Sequence, residues 1–238
     1  MNCNILDFRD NLLKILHETL EIKWQFQAPV ELTGIIRRTQ SPRSIILLLH
    51  GLGQRGKRIY RQLLPFLPGN AVILAPNGPF PIPREKEGRI EYGHSWYFYD
   101  KFAKNYFVSH ELSSCWLKNL VELENLHSLP VYIIGFSQGG YIAPHVAKYI
   151  KETKLIIGLC CEFRSHLINE DLSIPLIGIH GEEDNIVSPI SAKKEVELLK
   201  EKGIKAEFMM LAKTGHEINK EMGKIVQFQL EEYGKRDL

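Results

Sequence analysis

Two rhythms of hydrophobic residues alternate along the chain. Short, largely apolar runs fall at residues 44–49, 71–74, 131–134, 155–159, 175–179 and 206–211. A strand covered on both faces reads this way, because neither row of side chains meets water. Between the runs, apolar residues recur at helical spacing over residues 57–67, 108–126, 138–151, 191–202 and 217–233. Strand, helix, strand repeated in this manner predicts a mostly parallel sheet with helices on both faces. Ahead of this series, Ile5, Leu6, Leu12, Leu13 and Leu16 mark an amphipathic helix over residues 4–17. Residues 20–26 alternate like a further strand. Residues 77–107 break the rhythm, being rich in Pro, Gly and aromatic side chains. So long a connection is expected to be an irregular loop with a function, beside the active site.

Composition narrows the classes. A chain of 238 residues with 44% hydrophobic and 24% charged side chains is expected to fold as one α/β domain spanning residues 1–238. Its 30 basic and 28 acidic residues leave a formal charge of +2, which gives no electrostatic case for nucleic acid or an anionic membrane. The apolar runs are too short to span a bilayer, so no integral membrane association is expected. The opening MNCNILDFRD lacks the basic-then-apolar order of a secretory leader. Cys3, Cys115, Cys160 and Cys161 show no Cys-x-x-Cys spacing, and the adjacent pair cannot form two arms of a disulfide framework. Free thiols and a cytoplasmic location are the reading that follows, with no metal site.

The chemistry enters at IGFSQGG, residues 134–140. Ser137 stands between glycines where a buried strand must turn into a helix. The pattern G-x-S-x-G permits a tight turn that holds a hydroxyl above the sheet edge. It also leaves the Gln138 N–H, at the helix start, free to bind a developing negative charge. An ordinary turn of small residues would look the same locally, so the partners decide. A serine hydroxyl needs an imidazole to take its proton, and the imidazole needs a carboxylate to hold it. In this architecture both are expected at later strand ends, acid first. Asp184 follows the run at residues 175–179, and His216 follows the run at residues 206–211. Glu182, Glu183, Glu162 and Asp171 are the rival acids. His17, His110, His127 and His145 lie within helical segments, whereas His50 and His180 end strands and are expected to orient loops. The first strand end reads LLLHGLGQ, whose glycine-rich turn offers the Leu52 N–H as a second oxyanion donor.

These blocks, with APNGPFPIP, SWYFYD, HGEEDNIVSP and TGHEI, resemble the phospholipase/carboxylesterase family of α/β-hydrolases, which includes the acyl-protein thioesterases. The resemblance runs from about residue 45 to about residue 218. It implies an α/β-hydrolase fold and a serine hydrolase, without a cofactor, that cleaves carboxylic esters or thioesters of small or linear acyl substrates. By position it gives Ser137 as nucleophile, Asp184 and His216 as its partners, and Leu52 and Gln138 as backbone donors. The acid block D-N-I-V-S-P carries one residue more than the family's usual D-x-x-V-P. Trp96 matches the family's Trp block and is expected to line the acyl pocket, although such aromatics could equally pack the loop onto the body. Two other readings remain: a serine peptidase of the same fold, and a hydrolase-like binding protein without turnover. An imidazole base acts in its neutral form, so activity is expected to climb with pH through the ordinary histidine range.

Overall fold

The computed structural model describes residues 33–235 apart from 101, 104, 126 and 127. The helix and strand expected at residues 4–17 and 20–26 lie outside the described residues.

A seven-stranded sheet organises the described residues, in the order β1-β3-β2-β8-β9-β10-β11. Its strands are β1 Gly34–Arg37, β2 Ser44–Leu49, β3 Ala71–Pro76, β8 Val131–Phe136, β9 Thr153–Leu159, β10 Leu176–Gly181 and β11 Ala206–Leu211. All neighbours are parallel except the edge pair β1 and β3. Every residue of β2, β3, β8 and β10 is buried, as their unbroken apolar runs require. Alternate side chains feed two cores. Ile45, Leu47 and Leu49 face one core; Ile46 and Leu48 face the other.

Helices α2 His110–Glu124, α3 Gln138–Ala147 and α4 Pro189–Glu201 cover the first core through Leu117, Ile142 and Val196. Helices α1 Gly56–Leu63 and α5 Lys220–Gly234 cover the second through Ile59 and Val226. The alternation read from the sequence is therefore realised: a mostly parallel sheet with helices on both faces. The short strand β1 was not foreseen, since four half-exposed residues at a sheet edge leave almost no periodic trace.

The segment 77–107 corrects the expectation of an irregular loop. It forms two antiparallel hairpins, β4 Phe80–Lys86 with β5 Arg89–Ser95, and β6 Phe98–Asp100 with β7 Asn105–Val108. The first turns through Glu87 and Gly88, whose φ values of 52° and 71° are the paired positive angles of a type I′ hairpin. Pro81 and Pro83 read as strand breakers, yet a two-stranded ribbon has free edges that tolerate a missing N–H.

Candidate active site

The turn between β8 and α3 is built by close approach. A Cβ at Gly135 would lie 2.2 Å from the Gly139 carbonyl oxygen, and one at Gly139 would lie 2.1 Å from that of Leu49. Only glycine lets the helix start so near the ends of β8 and β2. Ser137 pays for this geometry with φ 49° and ψ −119°, a conformation that costs an L-residue about 1–3 kcal/mol. The rest of the backbone fixes it: the Ser137 N–H donates to the Leu159 carbonyl at 2.8 Å, and its carbonyl accepts from Gly140 and Tyr141.

Asp184 and His216 arrive from the ends of β10 and β11. His216 Nδ1 donates to Asp184 Oδ2 at 2.8 Å, so in the neutral ring Nε2 is the nitrogen without a proton. The Asp184 side chain is sealed from solvent, and all of its contacts are donors. Its Oδ1 accepts the N–H groups of Ile186 and Val187, both at 2.9 Å. His180 Nε2, which donates to the Val187 carbonyl at 3.0 Å, also lies 3.1 Å from Oδ2. Burial pushes the Asp184 carboxyl up, but the Val187 N–H, His216 and the Ile186 N–H outweigh it and hold it below the usual range. Of the rival acids, Glu182 and Glu183 are exposed, and Glu162 accepts from the Ser191 hydroxyl.

The Phe136 ring, one residue before Ser137, lies 4.9 Å from the His216 ring. Ser137, Asp184 and His216 follow the carboxyl ends of β8, β10 and β11, the rim where open α/β sheets bind ligands. Cys160, Asp184 and His216 place metal-ligating atoms within 4.8 Å of one another. Burial pushes the Cys160 thiol up to about 12, so it stays protonated while the other two groups bond each other. That grouping is satisfied by its own contacts.

The β2 end also approaches the turn, since a Cβ at Gly51 would lie 3.3 Å from the Ser137 Cβ. Leu52 follows with its side chain half exposed. His50 braces this loop: Nδ1 donates to the Gly51 carbonyl at 2.8 Å and Nε2 accepts the Gly78 N–H at 2.9 Å. Gln138 is anchored from the hairpin side. Its Oε1 accepts the Trp96 N–H at 3.1 Å, and its Nε2 donates to the Tyr97 carbonyl at 2.8 Å and to Ser95 Oγ at 3.0 Å.

Trp96 departs from expectation. It is 0% exposed, and its Nε1 donates to the His50 carbonyl at 2.8 Å while the ring lies 4.7 Å from that of His50. A ring with no accessible surface cannot wall an open acyl site. It braces the β2 loop from behind instead. The positions that sequence reading missed are Ser95 and the direct contact of His180 with Asp184. The i, i+4 spacing of His180 and Asp184 was visible, but it carries meaning only once the strand end is known to curl back.

Buried histidines give the fold an acid limit. Burial lowers His50 to about 4 and His145 to about 3, the latter stacked 3.8 Å from His110. An unfolded histidine titrates near 6.5, so below that pH the unfolded chain binds protons that the folded chain refuses. Their contribution is complete above about pH 6.5 and is lost as pH falls toward 4, at about 1.4 kcal/mol per pH unit for each group. Urea midpoints measured at pH 7, 6 and 5 are expected to fall in that order; a flat series contradicts this account.

Comparison with known proteins agrees with the fold. The sequence model of the phospholipase/carboxylesterase family matches residues 31–231. An acyl-protein thioesterase 1 homologue of Dictyostelium discoideum is 25% identical over 190 residues, covering 72% of this chain and 82% of that protein. Among solved structures, acyl-protein thioesterase 2 of Zea mays superposes with a TM-score of 0.67 at 21% identity, over 85% of this chain and 100% of that one. Esterase PE8 gives 0.66 at 22% identity, over 86% and 100%. Those two likenesses establish the α/β-hydrolase fold, and the family match establishes more: the chain is a hydrolase belonging to the phospholipase/carboxylesterase family.

Proposed function

We propose that this protein cleaves carboxylic esters or thioesters through an acyl-enzyme on Ser137. The Ser137 oxygen attacks the acyl carbonyl carbon while His216 Nε2 takes the hydroxyl proton. The tetrahedral oxyanion accepts the N–H groups of Leu52 and Gln138. As the carbon–oxygen or carbon–sulfur bond breaks, His216 returns the proton to the departing alcohol or thiol. Water then repeats the sequence on the acyl-enzyme, giving the acid and free Ser137. Asp184 holds the imidazole tautomer throughout.

One observation carries this reading: the 2.8 Å bond from His216 to a sealed carboxylate, beside a strained turn that presents a serine. A dipole pair placed there without a nucleophile would be an unexplained cost. Thioester cleavage draws support from the Dictyostelium discoideum relative, and ester cleavage from the family.

The test is covalent. A fluorophosphonate is expected to label the chain stoichiometrically, with the adduct mapped to the peptide containing Ser137. Hydrolysis of nitrophenyl butyrate should cease in step with labelling. An adduct on another residue, or full activity in the labelled protein, refutes the assignment. No labelling at all favours the binding-protein reading.

A further inference from the structure

A groove of about 740 Å³ opens between α1 and the β4–β5 hairpin. Arg55, Lys57, Arg58, Arg61, Arg84 and Lys86 line it, opposed by two carboxylates, Glu85 and Glu91. The whole chain has 30 basic against 28 acidic residues, so six against two here is a strong local excess. Among the described residues, none of the six has a carboxylate within ion-pair distance. Arg55 Nε donates to the Tyr92 carbonyl at 2.6 Å, which fixes one wall to the other. The concentration is unfavourable in itself, because like charges repel and Lys57 and Arg58 stand in the first turn of α1, where the helix dipole disfavours cations.

The groove also runs up to the turn that follows β2. Its floor includes Gly53 and Gln54, which continue the Gly51–Leu52 turn. The Arg84 guanidinium packs on Gly53 so closely that a Cβ there would lie 1.8 Å from Nη2. Two chain steps separate Gly53 from Gly51, which adjoins Ser137, so Arg84 lies on the order of 10 Å from the serine.

We infer that this groove binds the phosphate-bearing part of the substrate, making the enzyme selective for phosphorylated acyl esters or thioesters. The inference rests on the Ser137 reading for its kinetics and on the groove alone for binding. Four of the six cations are arginines, whose planar forks suit phosphate oxygens in bidentate fashion. Its volume fits a small ligand.

The test uses the full chain and the double variant Arg58→Glu/Arg61→Glu, both positions being exposed. Thermal unfolding checks that the variant folds, and Arg84→Gln serves if it does not. Calorimetric titration with inorganic pyrophosphate at low salt is expected to show binding weakened at least about tenfold by the substitutions. In parallel, kcat/KM is compared for the butyryl thioesters of coenzyme A and of pantetheine, which share acyl group and thiol end. The parent protein is expected to favour the phosphorylated thioester at least about tenfold, a preference that falls toward unity in the variant and in ~0.5 M salt. Pyrophosphate binding indifferent to the substitutions, or equal kcat/KM for the two thioesters in the parent protein, overturns the inference. Because calorimetry needs no turnover, a failure of the Ser137 mechanism leaves the binding result readable.

Discussion

Asp184→Asn is expected to lower kcat/KM for nitrophenyl butyrate by about 10⁴-fold. The carboxylate faces four donors: the N–H groups of Ile186 and Val187 on Oδ1, and those of His216 and His180 on Oδ2. An amide has one oxygen to offer. If that oxygen keeps the two backbone N–H groups, the NH₂ replaces Oδ2 and points at two ring N–H groups. His216 can relieve the conflict only by moving its proton to Nε2, and a protonated Nε2 cannot act as the base for Ser137. The shape is preserved while the tautomer is wrong. Fluorophosphonate labelling should slow in parallel, since it uses the same base. The loss of satisfied buried contacts adds a stability cost of about 1–3 kcal/mol, read from urea unfolding. Glu182→Gln and Glu183→Gln, at exposed positions, are expected to change kcat/KM less than about threefold. A loss below tenfold at Asp184, or a large loss at either glutamate, would move the acid elsewhere.

What could be read from the chain beforehand follows from how local each determinant is. The buried strands announced themselves because a sheet covered on both faces needs uninterrupted apolar runs, and β2 falls at the residues expected. The turn at Ser137 was legible for a similar reason: its glycines are dictated by backbone collisions within a few residues and with the neighbouring strand. Glu182, Glu183 and Asp184 are adjacent and chemically alike, so only burial distinguishes them, and burial is a property of the assembled sheet. The hairpins of residues 77–107 escaped because Pro and Gly mark loops and ribbon edges alike. Trp96 escaped for a different reason. An aromatic side chain beside an active site can face the cavity or the core, and its indole N–H bond to the His50 carbonyl, which decides for the core, joins residues 46 apart in sequence. The basic groove was hidden by averaging, since its surplus is offset by acidic residues elsewhere in a nearly neutral chain.

Gly139→Ala is expected to destabilise the fold by about 3 kcal/mol or more and to depress activity with it. In an unencumbered helix the same change would stabilise by about 1 kcal/mol, so the sign is the test. The added methyl would lie 2.1 Å from the Leu49 carbonyl oxygen, 2.5 Å from its carbon and 2.8 Å from the His50 carbonyl oxygen. All three are backbone atoms and cannot rotate away. Nor can β2 retreat, because it is paired with β3 on one side and β8 on the other, and the His50 carbonyl is held by Trp96 Nε1. Relief must come from shifting α3, which carries the Gln138 N–H, or from shifting the turn that carries the Leu52 N–H. Either shift spoils the two donors proposed for the oxyanion. Gly69→Ala supplies the contrast, since nothing lies within 4 Å of its Cβ direction and its backbone is not left-handed. There the loss of unfolded-state freedom is expected to raise stability by about 0.5 kcal/mol. Urea midpoints moving in opposite directions for the two variants, with kcat/KM falling only for the first, are the expected outcome. A Gly139→Ala protein as stable as its parent would mean that the crossing of α3 over β2 is looser than the close contacts describe.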